Sequence, residues 1–342
     1  MSLLFKRFLN FGICIIVLCI CLTACTTERQ SRHLENKSVP VPQYFLTQEQ
    51  THNKFSRLIP PIIKVPSGAV IEVFTKEASD KQLSIDTTTE DLRNMEFNSD
   101  LVHPLTGPVY VDGAKPGDTL EVTLYTIEIG EWGWTIAGPY GFLGDEFNEP
   151  ILRTYRLGKD KKSVKFSEDI NIPLRPFPGV MGVAPDTDEM LSTIPPSANG
   201  GNMDDPVIVE GTKVYFPVFV EGALFSIGDT HAVQGHGEVC GTAIEAPMRI
   251  VYEVNVIKND RKIQEPQYET DKYYAVTAFG TTIDEAAKKA TRYMIDYLVS
   301  EHVIEQYDAY MLCSIAADLK IAEVVDINML VTMQISKDIL GI

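Results

Sequence analysis

VYVDGAKPGD, at residues 109 to 118, returns later in the chain as VFVEGALFSIGD, at 218 to 229. Both follow the pattern V-[YF]-V-[DE]-G-A and then, after a short spacer, Gly-Asp. A strand, an acidic-glycine turn and a Gly-Asp entry into the next element, used twice, suit two related β units, and equally suit V-x-V-[DE]-G as common hairpin vocabulary. The rest of the body is written in the same vocabulary. GAVIEVFT (68 to 75), DTLEVTLYTIEI (118 to 129), VIVEG (207 to 211), VYFPVFVEG (214 to 222) and MRIVYEVNVI (248 to 257) are short β-branched or aromatic runs bounded by Gly, Pro and Asp. Leu120, Val122 and Leu124 alternate at period two, so one face of that strand is buried and the other solvated. The expected fold is mainly β, sandwich-like or barrel-like.

Towards the C-terminus the period changes. Thr282 with Glu285 forms a capping box, and Ala290, Met294, Tyr297 and Leu298 then recur at helical spacing up to a break near His302. Ile304, Tyr307, Leu312 and Ile315 mark a second helix that ends before Asp318. Neither helix carries a charged constellation on its apolar face, so both are expected to pack against the sheet as core.

The N-terminus speaks to location. Lys6 and Arg7 precede an apolar run from Phe8 to Leu22, too short for a membrane span and of the right form for an export signal. It ends in Leu22-Thr23-Ala24-Cys25, which resembles the lipobox of bacterial lipoproteins. That resemblance implies removal of residues 1–24, lipidation of Cys25, and a protein anchored to a bacterial membrane, facing the periplasm or the cell exterior. Residues 25–56 are polar and aperiodic and are expected to be a flexible tether, leaving residues 57–342 as the folded domain. The net charge of −17, two units more negative without Lys6 and Arg7, argues against nucleic acid or anionic lipid as a partner. Cys240 and Cys313 remain in the domain and are expected to be free, and two cysteines give no structural zinc framework. Homo-oligomerisation is left open.

The densest chemistry lies in GDTHAVQGHGEVCGTAIE, residues 228 to 245. Glycines at 228, 235, 237 and 241 free the backbone for close approach to a small ligand. Asp229, His231, His236, Glu238 and Glu245 offer the oxygen and imidazole donors of a divalent metal. In an extended segment Asp229 and His231 share a face. The same composition also suits a turn-rich hairpin whose acids and histidines cap loops in solvent.

This stretch resembles the signature of the acetamidase/formamidase family. HPLTGPVYVDGAKPGDTLEV (103 to 122), FPGVMGVAP (177 to 185), IPPSANGGNMD (194 to 204) and LCSIAADLKIAEVVD (312 to 326) agree with it in order, over roughly residues 60 to 330. The resemblance implies hydrolysis of a short carboxamide to carboxylate and ammonia, on a mostly β architecture, with a divalent ion, zinc or calcium first. Such an ion polarises a carbonyl and acidifies water, and a carboxylate relays the proton. On this reading Asp229 and His231 are metal ligands, with Asp86 of SIDTTTED a third and His103 a fourth. Glu238 is the general base and acid, and Glu245 exchanges roles with it as catalyst or support. The Asn199-Gly200-Gly201-Asn202 turn supplies amides to the substrate or oxyanion, and His236 stands where family members usually carry an acid, next to the substrate. Cys240 is read as a small residue of a tight turn rather than a nucleophile. A protein of another class also fits an exported chain: a lipid-anchored module that binds a small ligand on the same scaffold without turnover.

Overall fold

The computed structural model of the chain describes residues 39–158, 160–258 and 262–342. The expected export signal, Cys25 and the first part of the expected tether lie outside the described residues. From Val41 onward the chain is already part of the domain, which corrects the tether boundary: Tyr44–Leu46 pairs in parallel with Ala69–Phe74, and Leu46 and Phe55 are buried. Apolar side chains in the expected linker supply the reason, since each gains by leaving water.

Among the described residues, two nine-stranded sheets carry the fold. The first runs in the order Tyr44–Leu46, Ala69–Phe74, Met248–Ile257, Thr119–Ile129, Lys213–Pro217, Gln267–Glu269, Tyr273–Gly280, Asn328–Ser336 and Ala317–Asp326. The second centres on Phe225–Val233, which pairs with Phe177–Gly182, Leu105–Val111 and Ile244–Glu245. Leu120, Val122, Leu124, Ile250 and Tyr252 from the first sheet share one core with Val109, Val111, Met181, Phe225 and Ile227 from the second. The alternation at Leu120, Val122 and Leu124 therefore does what its period requires: all three are fully buried, while Glu121, Thr123 and Tyr125 are only partly so. This is the mainly β fold expected from the runs.

The two echoed segments close the same turn. Ala114 N–H donates to Val111 O at 3.2 Å, and Ala223 N–H to Val220 O at 3.1 Å; Val111 N–H also reaches Gly222 O at 2.9 Å, so the turns sit against each other. The first helix behaves as its spacing predicts, whereas the second turns Ala309 and Cys313 inward and leaves the expected core residues Tyr307 and Ile315 exposed. Thr282 caps Ile283–His302 by accepting from Glu285 N, and Ala286, Ala290, Met294, Tyr297 and Leu298 form the buried stripe. That stripe and the helix Gln306–Ala316 pack on Tyr274, Val276, Ala278, Val331, Met333 and Ile335, the alternate residues of two neighbouring strands. The intervening positions, such as Thr332, face the other way, toward Asp205.

Two expected strands differ. VIVEG is a turn, because Asp205 draws the backbone round: its carboxylate accepts from Val207 N at 3.0 Å and its carbonyl from Ile208 N at 3.0 Å. An aspartate that hydrogen-bonds its own following backbone overrides the β preference of Val and Ile. VYFPVFVEG is strand only to Pro217, where the missing N–H ends the ladder.

Candidate metal and catalytic site

The site is built where the central strand of the second sheet is crowded from both sides. Gly228 leaves no room for a side chain, since a Cβ there would stand 2.4 Å from Pro104 O; this close approach brings His103 beside Asp229. Gly179, on the neighbouring strand, is equally obligatory. A Cβ there would meet Asp204 Oδ1 at 2.3 Å and His231 Cε1 at 2.7 Å. Phe177 braces the imidazole edge-on, with ring centroids 5.1 Å apart.

Around His231 the carboxylates converge. Nε2 lies 3.1 Å from Glu245 Oε2 and 3.3 Å from Asp229 Oδ2, and Nδ1 lies 3.6 Å from Asp204 Oδ1 and 2.8 Å from Gln234 Oε1. Gln234 is itself fixed by donating to Asp204 O at 2.7 Å. Asp326, from the end of the edge strand Ala317–Asp326, accepts from Asn202 Nδ2 at 2.8 Å. His103 Nδ1 lies 3.9 Å from Asp229 Oδ2. All of these except Gln234, together with Glu238, line one cavity of about 450 Å³.

Three of the acids hold left-handed backbone: Asp204 at φ 41°, Asp229 at 46° and Glu238 at 45°. Each such residue costs about 1 kcal/mol or more, and strain of this kind gathers where a site needs it. Electrostatics point the same way. Asp204, Asp229, His231, Glu238 and Glu245 are all buried, and among the described residues no lysine or arginine lines the cavity. Burying an ionised carboxylate costs several kcal/mol unless it is paired, and one imidazolium cannot offset so many. Burial, and then Asp326, Glu245, Asp229 and Glu323, push the Glu238 carboxyl well above its ordinary range. Burial raises Glu245 to about 7 against the pull of His231. Burial alone would lower the His231 pKa, but Glu245 and Asp229 outweigh it and shift it upward; a cation held by the same carboxylates and imidazole would displace that proton. Asp229 is the one acid of the group held down, burial being outweighed by His103 and His231.

The arrangement fits a divalent cation. Asp229, His231 and Glu245 can direct one donor atom each to a common point, as can Asp204, His231 and Glu238. Asp204 Oδ1, Asp229 Oδ1 and His103 Nδ1 are buried without a hydrogen-bond partner, a state that buried polar atoms rarely tolerate and that a cation relieves.

The expected residues separate accordingly. Asp229, His231, Glu238, Glu245 and His103 line the cavity, and so does Asn202. Asp86 does not: its side chain is 83% exposed and pairs with Arg156 at 3.2 Å, the loop before Thr88 being turned toward solvent. The Asn199-Gly200-Gly201-Asn202 segment is not an open turn. Gly200–Asn202 is a strand paired with Val180–Gly182, Gly200 N–H donates to Ser197 O, and Asn199 Nδ2 to Val183 O, so these amides are already engaged. His236 lines an adjacent hollow with Cys240 and Glu238 and is not among the residues that line the carboxylate cavity. Sequence reasoning missed Asp204 and Asp326, although each closes a motif quoted above, the ends of IPPSANGGNMD and LCSIAADLKIAEVVD.

A sequence model of the Acetamidase/Formamidase family matches residues 40–193 and 187–341. The chain belongs to this family. It is 27% identical to the acetamidase of Mycolicibacterium smegmatis over 271 residues, 60% of this chain and 66% of that one. It is 27% identical to the formamidase of Methylophilus methylotrophus over 312 residues, 70% and 74% of the two chains. The crystal structure of a predicted acetamidase/formamidase from Thermoanaerobacter tengcongensis superposes with a TM-score of 0.81 at 32% identity, covering 87% of this chain and 97% of that one.

Proposed function

We propose that this chain hydrolyses small carboxamides to the carboxylate and ammonia at the cavity around His231. The observation that carries the reading is the buried, strained group of carboxylates about one imidazole, in a chain of a family whose relatives are named for acetamide and formamide. A divalent ion held by Asp229, His231 and Glu245 would supply Lewis acidity toward the amide carbonyl and toward water. The imidazole donor favours zinc over calcium, which takes oxygen donors.

The chain's own residues do the rest. Asn202 Oδ1 is buried without a partner and is positioned to accept from the substrate N–H. Glu238 has a raised proton affinity, so it takes a proton as the O–H bond of water breaks and the new C–O bond forms, then delivers it to nitrogen as the C–N bond breaks. Asp326, held by Asn202, is among the acids that raise that affinity. Glu238→Gln tests the assignment: the protein folds and kcat falls by ~10²-fold or more, the usual size of general acid–base catalysis. A near-wild-type kcat would move the role to Glu245. Proposed with this is the exported, lipid-anchored location carried by Cys25.

A further inference from the structure

The cavity lining is of two kinds. Asp204, Asp229, His231, Glu238, Glu245 and Asp326 are acidic or imidazole groups; Leu92, Phe97, Val102, Trp134, Ile136 and Tyr140 supply an apolar or aromatic wall. At about 450 Å³ the cavity is several times larger than acetamide needs, which at about 30 Å³ per water-sized volume occupies roughly 120 Å³. A ligand that small would leave the apolar wall wet.

That wall is rigid and offers the ligand no polar atom from its largest member. Trp134 Nε1 donates to Glu77 Oε2 at 2.7 Å, and Glu77, itself buried, also accepts from Ser79 N, Ser79 Oγ and Lys81 N at 2.7 to 2.9 Å. The indole is thus pinned with its N–H occupied. Trp134 and Ile136 belong to a small core with Ala78, Leu83 and Leu152, on which Leu92 and Phe97 pack while still only half-buried. The apolar surface continues outward. Tyr140 lines the cavity, and the loop it opens also exposes Phe142, Leu143 and Phe147, the two phenylalanines each 55% accessible. A polar-headed ligand with an apolar tail covers both kinds of lining at once.

We propose that the site is built for a primary carboxamide bearing a bulky apolar acyl group, of about six carbons or more by the same volume argument, rather than for formamide or acetamide. The proposal rests on the amidase reading and deepens it. The carboxamide lies among the carboxylates, and the acyl chain runs past Trp134 and Phe97 toward Tyr140. Water adds to the carbonyl carbon, the C–N bond breaks, and the products are the apolar carboxylate and ammonia, so the tail needs no chemistry of its own.

The test is a comparison of formamide, acetamide, hexanamide and 2-phenylacetamide with the zinc-loaded full chain, reading kcat/KM by ammonia release and Tm in parallel. Each methylene buried in the transition state raises kcat/KM ~4-fold, so hexanamide is expected to exceed acetamide by ~10²-fold. Phe97→Ala is expected to cut that ratio ~10-fold or more, and because the ratio is internal, a general loss of folded protein does not mimic it. If acetamide is turned over as well as hexanamide or better, the proposal falls while the amidase reading stands. If no amide is turned over, the amidase reading falls and Tm decides: stabilisation by hexanamide at concentrations where acetamide gives none supports the apolar pocket, and equal or absent shifts overturn it.

Discussion

Alanine at position 179 adds one methyl group to the most crowded point of the site. Its Cβ would stand 2.3 Å from Asp204 Oδ1, 2.7 Å from His231 Cε1 and 2.9 Å from Asp229 O, where ordinary contact begins near 3.4 Å. Asp204 cannot simply retreat, because Met203 N and Asp204 N both donate to Gly179 O, at 3.0 and 3.2 Å. The carboxylate and the imidazole must therefore move apart by about 1 Å, a misplacement that costs ~10²-fold in rate when it falls on groups that position substrate. Forcing the extra carbon into a packed interior costs about 1–3 kcal/mol of stability. The assay is ammonia release together with urea unfolding of Gly179→Ala, beside Gly235→Ala as a control in the same signature. A Cβ at position 235 meets nothing within 4 Å, so that variant is expected to keep its rate within ~2-fold, as surface substitutions do. A Gly179→Ala protein with wild-type kcat and stability would refute the claim that the cradle between Asp204 and His231 is rigid and used.

Away from the site, His52 gives a pH signature. Its Nδ1–H donates to Lys54 O at 2.7 Å and its Nε2 accepts from the Ser226 hydroxyl at 2.8 Å, and burial lowers its pKa from 6.5 to about 4. The folded state thus holds this ring neutral where the unfolded chain would protonate it. Its contribution is complete above pH 6.5 and is lost as pH falls toward 4, by up to about 3 kcal/mol. Urea unfolding of wild type and His52→Gln across that window should show a shallower acid loss in the variant, and identical slopes would contradict it. For the lipid anchor, Cys25→Ser is expected to shift the protein from the membrane fraction to the soluble one, and unchanged fractionation would remove the proposal.

What the sequence made legible was local. The strand Met248–Ile257 coincides with the run MRIVYEVNVI, and Thr282 caps its helix where expected, because alternation and capping act over a few residues, although the Glu285 carboxylate accepts from Thr281 N and not from Thr282 N. The signature at 228–245 likewise held the donors Asp229, His231, Glu238 and Glu245 within one stretch. The partners that complete the site were not legible in the same way. Asn202 and Asp326 are hydrogen-bonded across 124 positions, a pairing fixed by which strands cross the sheet and not by any local pattern. Asp204 is an unremarkable acid after Met203 until its left-handed backbone and the empty space at Gly179 turn it toward His231. Asp86 shows the converse. An acid in a Thr-rich segment matched the position that the family resemblance implies, but the Thr88 cap and the pairing with Arg156 keep it at the surface.

The central claim is that this site hydrolyses amides with a bound divalent ion. The most direct measurement is ammonia release from formamide, acetamide and larger primary amides by the purified chain, with metal content read on the same sample. The account predicts turnover with about one ion per chain, lost on chelation and restored by zinc. Undiminished turnover by a metal-free chain, or a metal-loaded chain that releases no ammonia from any amide, would contradict it.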